Sequence, residues 1–146
     1  MTLNRWDPLR DLLNFQEKMN RIAHLPFEER CAITGPAWNP PVDVVETPDA
    51  YIFRVDLPGV GKDQINVEVR GSRLVIQGER PVTDEPAIAA YHSVECKTGC
   101  FQRTFSLPGL VNVDDAKATY VDGVLEVVLP KAQDFGRTGV TVVCLG

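Results

Sequence analysis

In the stretch YHSVECKTGC, His92, Cys96 and Cys100 recur at every fourth residue, and imidazole and thiolate are the side chains that zinc favours. A structural zinc site brings such ligands as pairs two to four residues apart in two separated clusters. No second cluster exists in this sequence, so the spacing specifies no metal. The four cysteines, Cys31, Cys96, Cys100 and Cys144, are also too few and too dispersed for a disulfide framework. They read as ordinary strand cysteines or as redox-sensitive thiols, and nothing in the sequence supplies the positive surroundings that lower a thiol pKa.

Other chemistry fails on similar grounds. Gly59-Val60-Gly61-Lys62 superficially follows a phosphate loop. The earlier glycine position holds Asp56, however, and Asp63 stands where Ser or Thr would hold magnesium, so a plain turn is expected. The carboxylate pairs Glu28-Glu29 and Asp114-Asp115 are expected in loops with no convergent His or Ser, and neither His24 nor His92 has a recognisable nucleophile beside it. No catalytic residue, cofactor or metal is expected, and the protein is not expected to be an enzyme.

The elements that carry these residues are legible in the periodicity. Residues 6–23, WDPLRDLLNFQEKMNRIA, open with Asp7 as a cap and with Pro8 at the first helical position, where its missing amide hydrogen costs nothing. Leu9, Leu12, Leu13, Gln16, Met19 and Ile22 follow at spacings of three and four, which makes an amphipathic helix. The charges around it are of mixed sign, which favours protein contact over a membrane surface; packing on its own domain is the alternative. Residues 24–41 lose the period and carry Pro26, Gly35, Pro36, Pro40 and Pro41, so a linker is expected there.

From about Trp38 the period becomes two. Tyr51, Phe53, Val55 and Leu57 alternate with polar residues and Ile52, and the pattern returns at Ile65, Val67 and Val69 and at Leu74 and Ile76. Gly71-Ser72 separates the latter two runs, and Asp122-Gly123 joins two alternating runs as a hairpin turn in which both residues tolerate positive φ. Several short strands with tight turns predict an all-β fold, an antiparallel β-sandwich. Between them, residues 81–91 form a long polar loop that calls for a role of its own. Phe101, Phe105 and Leu107 share a phase, and Arg103 shares it too. A guanidinium there either finds carboxylates or carbonyls, within the fold or on another subunit, or reaches water at the sheet edge.

With 146 residues the chain suffices for one domain with arms, and a net charge of -5 with scattered Lys and Arg argues against a nucleic-acid footprint. No apolar run approaches the roughly 18 residues of a membrane span, and Arg5, Asp7, Arg10 and Asp11 interrupt any leader-like core, so a cytoplasmic protein without stable membrane insertion is expected.

Three ordered motifs then resemble one family. The runs DLPGVGKDQINVEVRGSRLVIQGER, YHSVECKTGCFQRTFSLPG and ATYVDGVLEVVLPK are similar to the α-crystallin domain of small heat shock proteins, continuously over 38–131, and the opening Trp6-Asp7-Pro8 helix resembles that of bacterial and plant-type members. The resemblance implies an immunoglobulin-like sandwich over 38–131, an N-terminal arm over 1–37 and a flexible C-terminal extension over 132–146. It also implies ATP-independent holding of unfolding client proteins and homodimers that build higher oligomers. The family pattern Gly-x-Phe-x-Arg-x-Phe-x-Leu-Pro falls on Gly99, Phe101, Arg103, Phe105, Leu107 and Pro108.

On the same basis Trp6, Leu9, Leu12, Leu13, Phe15 and Met19 are expected to bind clients. Tyr91, His92, Val94, Glu95 and Arg103 are expected at the dimer interface, where the exchange loop spans 81–95. Cys96 stands where the family often has Arg, which removes one ion pair from the loop's anchoring. The terminal GRTGVTVVCLG carries Val140 and Val142 in place of the family's Ile-x-Ile, implying a tail whose two aliphatics fill a groove on a neighbouring sandwich. A β-sandwich module that recognises one folded partner is the competing reading; it leaves the apolar tail unexplained.

Overall fold

The structure, a computed structural model of the chain, describes residues 7–82, 90–133 and 140–146. It divides into two compact units, 1–35 and 36–146.

The first unit is helical. Helix α1 spans Pro8–Ala23, with the Asp7 carboxylate accepting from the amides of Leu9 at 3.2 Å and Arg10 at 3.4 Å. Helix α2 spans Phe27–Thr34, inside the segment expected to be a linker. Its breakers flank it rather than interrupt it. Pro26 occupies the N-cap, and Gly35 ends the helix at φ +70°, a conformation that glycine adopts without a steric penalty. With two turns and no clear apolar stripe, it has too little periodicity to show in the sequence.

The second unit is a sandwich of two four-stranded antiparallel sheets. In sheet order, one contains β1 (Val42–Glu46), β2 (Ala50–Asp56), β7 (Val124–Pro130) and β6 (Lys117–Val121). The other contains β5 (Gly99–Ser106), β4 (Arg73–Arg80), β3 (Ile65–Arg70) and β8 (Val140–Val142). Strand β1 has no clear alternation in sequence because it is an edge strand, partly exposed on both faces. Val44 and Val45 both remain open to water.

The inward residues of both sheets make one core. Phe53, Val55, Leu125, Val127 and Leu129 belong to the first sheet, and Val67, Val69, Leu74, Ile76 and Phe101 to the second, all buried almost completely. Full burial of each such side chain contributes about 1.5–3 kcal/mol, before the entropy of ordering is subtracted. The Phe53 and Phe105 rings meet across the layers with centroids 5.2 Å apart. Gly78 lets the Phe101 ring lie against the backbone, since a Cβ there would sit 2.5 Å from the ring's Cζ and collide with the Gln64 carbonyl oxygen. The β6–β7 turn has Asp122 at φ +53° and Gly123 at φ +78°, the two positive values that a two-residue hairpin loop requires.

Candidate functional site

The surfaces able to make contacts are built on three elements. On α1, Leu9, Leu12, Leu13, Phe15 and Met19 are all exposed, from 51% for Met19 to 72% for Leu9. A helix held by its own cap and by i→i+4 bonds can present such a stripe without burying it. Trp6, expected beside these residues, lies outside the described ones.

The second element is the root of the long loop. Tyr91, Ser93, Val94, Glu95 and Cys96 line a cavity of about 390 Å³ together with Val82 and Thr98. Tyr91, Val94 and Glu95 are thus brought together, whereas His92 is exposed and does not line the cavity. Residues 90–98 form no strand, and 83–89 lie outside the described residues.

Arg103 stands apart from this group. Its Nη1 donates to the Pro40 carbonyl at 3.2 Å, and its guanidinium carbon lies 5.3 Å from the centre of the Phe105 ring. Within the chain its partner is a carbonyl, one of the kinds open to it from sequence. Pro40 is fully buried, so the charge helps hold the chain that leads into β1.

Arg80, at the end of β4, is a residue that the sequence reading passed over. Its Nη1 donates to the Lys97 carbonyl at 2.7 Å while the guanidinium carbon lies 3.9 Å from the centre of the Trp38 ring. The Trp38 indole in turn donates to the Gly99 carbonyl at 3.1 Å. These contacts fasten the C-terminal root of the loop, a role for which Cys96 has no side chain to offer. The sequence signal was weak because an Arg ending a strand normally reads as solvated.

The third element is the tail. Strand β8 pairs antiparallel with β3 of the same chain, placing Val142 opposite Glu68 and Val140 opposite Arg70. Glu68 is itself buried, and its carboxylate accepts from Arg70 Nε and Asn66 Nδ2, both at 2.6 Å. Val142 is 57% exposed, whereas Val143 is 6% exposed and belongs to the core, with Leu145 packed against it. Within the chain, Val143 rather than Val142 is therefore the tail valine that enters the core. The physical reason is register: successive residues of a strand face opposite ways, so a shift of one exchanges the faces.

No three His, Cys, Asp or Glu side chains converge as metal ligands among the described residues. Cys96 and Cys144 are exposed free thiols, while Cys100 is buried in β5. Burial pushes the Tyr120 phenol above its ordinary value; the positive charge of Arg80 and the bond to the Val60 carbonyl oppose this. The Tyr120 hydroxyl lies 2.7 Å from the Leu57 carbonyl oxygen and 2.8 Å from that of Val60, tying β6 to the crossing between the sheets.

The profile of the Hsp20/alpha crystallin family matches residues 43–140. The chain belongs to that family. It is 37% identical over 134 residues to the 17.4 kDa class I heat shock protein of Arabidopsis thaliana, covering 91% of this chain and 80% of the relative. To the 16.9 kDa class I heat shock protein 1 of Triticum aestivum it is 46% identical over 96 residues, or 65% of this chain and 64% of that one. Among solved structures it resembles heat shock protein 16.0 from Schizosaccharomyces pombe, with a TM-score of 0.62, 30% identity, and coverage of 70% of this chain and 97% of that one. A small heat-shock protein from Xylella fastidiosa, described as having a distinct high order structure, matches with a TM-score of 0.60 and 32% identity over 69% of this chain and 94% of that one. Family members are non-enzymatic chaperones of the stress response.

Proposed function

We propose that the protein is an ATP-independent holdase that binds unfolding proteins through the exposed apolar stripe of α1 and keeps them from aggregating. That stripe carries the reading. Five large apolar side chains held open on one capped helix offer a surface to any chain that exposes its own core residues. Family membership supports the reading, and no chemistry is required of the site. Assembly proceeds through homodimers into larger homo-oligomers. Tyr91, His92, Val94 and Glu95 of the loop, with Arg103, contribute to the dimer contact, and the working compartment is the cytoplasm.

The test is suppression of heat-induced aggregation of a model client by the full chain and by a chain lacking residues 1–37, each with and without ATP. Suppression by the full chain that is indifferent to ATP, and weak suppression by the shortened chain, are expected. A requirement for ATP would overturn the holdase mechanism, and full activity of the shortened chain would move client binding onto the sandwich.

A further inference from the structure

The loop over 81–98 leaves and re-enters the sandwich at one ladder pair, Arg80 of β4 opposite Gly99 of β5. Both ends are shaped for the exit. Pro81 follows Arg80 at once, and Gly99 stands at φ +101°, where a Cβ would lie 3.0 Å from that of Ala37. The segment that leads into β1 runs beside this pair, since the Ala37 amide donates to the Cys100 carbonyl at 2.8 Å.

Trp38 is the fixed part of this corner. It is buried and meets Phe101 edge-on with ring centroids 5.3 Å apart, so core packing holds its indole. Arg80 is the adjustable part. It lays its guanidinium on that ring and donates to the Lys97 carbonyl, two residues before Gly99. Its Nε is buried and has no hydrogen-bond partner among the described residues. The cation is therefore held by one ring face and one loop carbonyl, and a ring attracts a desolvated cation more strongly than an exposed one.

We infer that Arg80, seated on Trp38, positions the loop for the contact between subunits. With the guanidinium on the indole, the Lys97 carbonyl is fixed relative to the core. Without it, Gly99 lets the root swing, because glycine has the freest backbone. Arg80 acts through the backbone of Lys97 and needs no contact with the partner. The inference rests on the reading of the loop as a dimer contact.

The test compares full-length Arg80→Gln, Trp38→Phe and the double variant with the parent. Gln keeps a donor and loses the cation, while Phe keeps a buried ring with a weaker pull on a cation and loses the indole N–H. Hydrogen exchange is read at the amides of 90–98 and, separately, at those of β2 and β7. Native mass spectrometry of mixed light and heavy chains reads subunit exchange. Arg80→Gln is expected to raise hydrogen exchange over 90–98 roughly tenfold, to speed subunit exchange, and to leave β2 and β7 as in the parent. The double variant is expected to loosen the loop by less than the two single effects combined.

An unchanged loop would overturn the clamp. A rise shared by β2 and β7 would make Arg80 a stabiliser of the whole sandwich and overturn its positioning role, and fully independent single effects would overturn its action through Trp38. A loosened loop with unchanged subunit exchange would instead overturn the dimer reading beneath the inference. Should Arg80→Gln fail to fold, Arg80→Lys keeps the charge without the planar fork and is expected to loosen 90–98 by a smaller factor in the same pattern. No loosening in that variant would overturn the clamp.

Discussion

Leu12 of α1 and Leu125 of β7 are the same residue type in opposite circumstances: Leu12 is 62% exposed and Leu125 is fully buried. The difference comes from how each backbone satisfies its polar groups. An α-helix bonds within itself and can stand with its apolar stripe open. A strand must pair with neighbours, and once two sheets are built their inner faces close on each other. Leucine and phenylalanine therefore stabilise the fold in the sandwich and remain available for contact on the helix.

The sharpest way to break this contrast is to truncate one residue on each side. Phe53→Ala is expected to cost about 3–5 kcal/mol, since it empties core volume beside Phe105, whereas Leu12→Ser changes stability by less than about 0.5 kcal/mol but lowers client protection. Chemical denaturation and the aggregation assay measure the two effects. A large stability loss for Leu12→Ser would mean that α1 is part of the folded core.

Arg103 tests the boundary between the two circumstances, because it is charged yet partly buried. Its bonds within the chain are to one carbonyl and one aromatic face, so Arg103→Ala is expected to destabilise by about 1–3 kcal/mol, the range for leaving a buried acceptor unsatisfied. Thermal unfolding of the full chain checks this. An unchanged melting temperature would reduce the contact with Pro40 to a surface accident.

The smallest effect is at Tyr120. Its folded pKa lies above the ordinary value of 10.0, so the neutral phenol is favoured by folding. Below that value both folded and unfolded chains keep the proton and the contribution is fully present; as pH rises, the unfolded chain releases its proton first and the contribution is lost through the folded pKa. Tyr120→Phe is expected to cost about 1 kcal/mol at neutral pH and to lose less stability than the parent on going above pH ~10. Denaturation midpoints at neutral and alkaline pH compare the two.

The class of fold and most of its strands were legible because burial on one face writes a period of two into the residues, and the Asp122-Gly123 turn added a signal that few backbones tolerate. The capped α1 was legible for the same kind of reason, through Asp7, Pro8 and a spacing of three and four. Helix α2 was not, since breakers at both ends outweighed a weak internal pattern.

The family followed from ordered motifs, and local chemistry alone could carry that conclusion. Three matters depended on which segments meet in space. Arg103 had several partners open to it until the fold brought the Pro40 carbonyl within reach. Arg80 became an anchor only when Trp38 and Lys97 met at the end of β4. Val143 joined the core only once the tail had paired with β3, and Leu145 packed on it beside Ala118 of β6. A strand's own residues define two faces but do not say which one is inside. That choice belongs to the register, and the register is set by the partner strand.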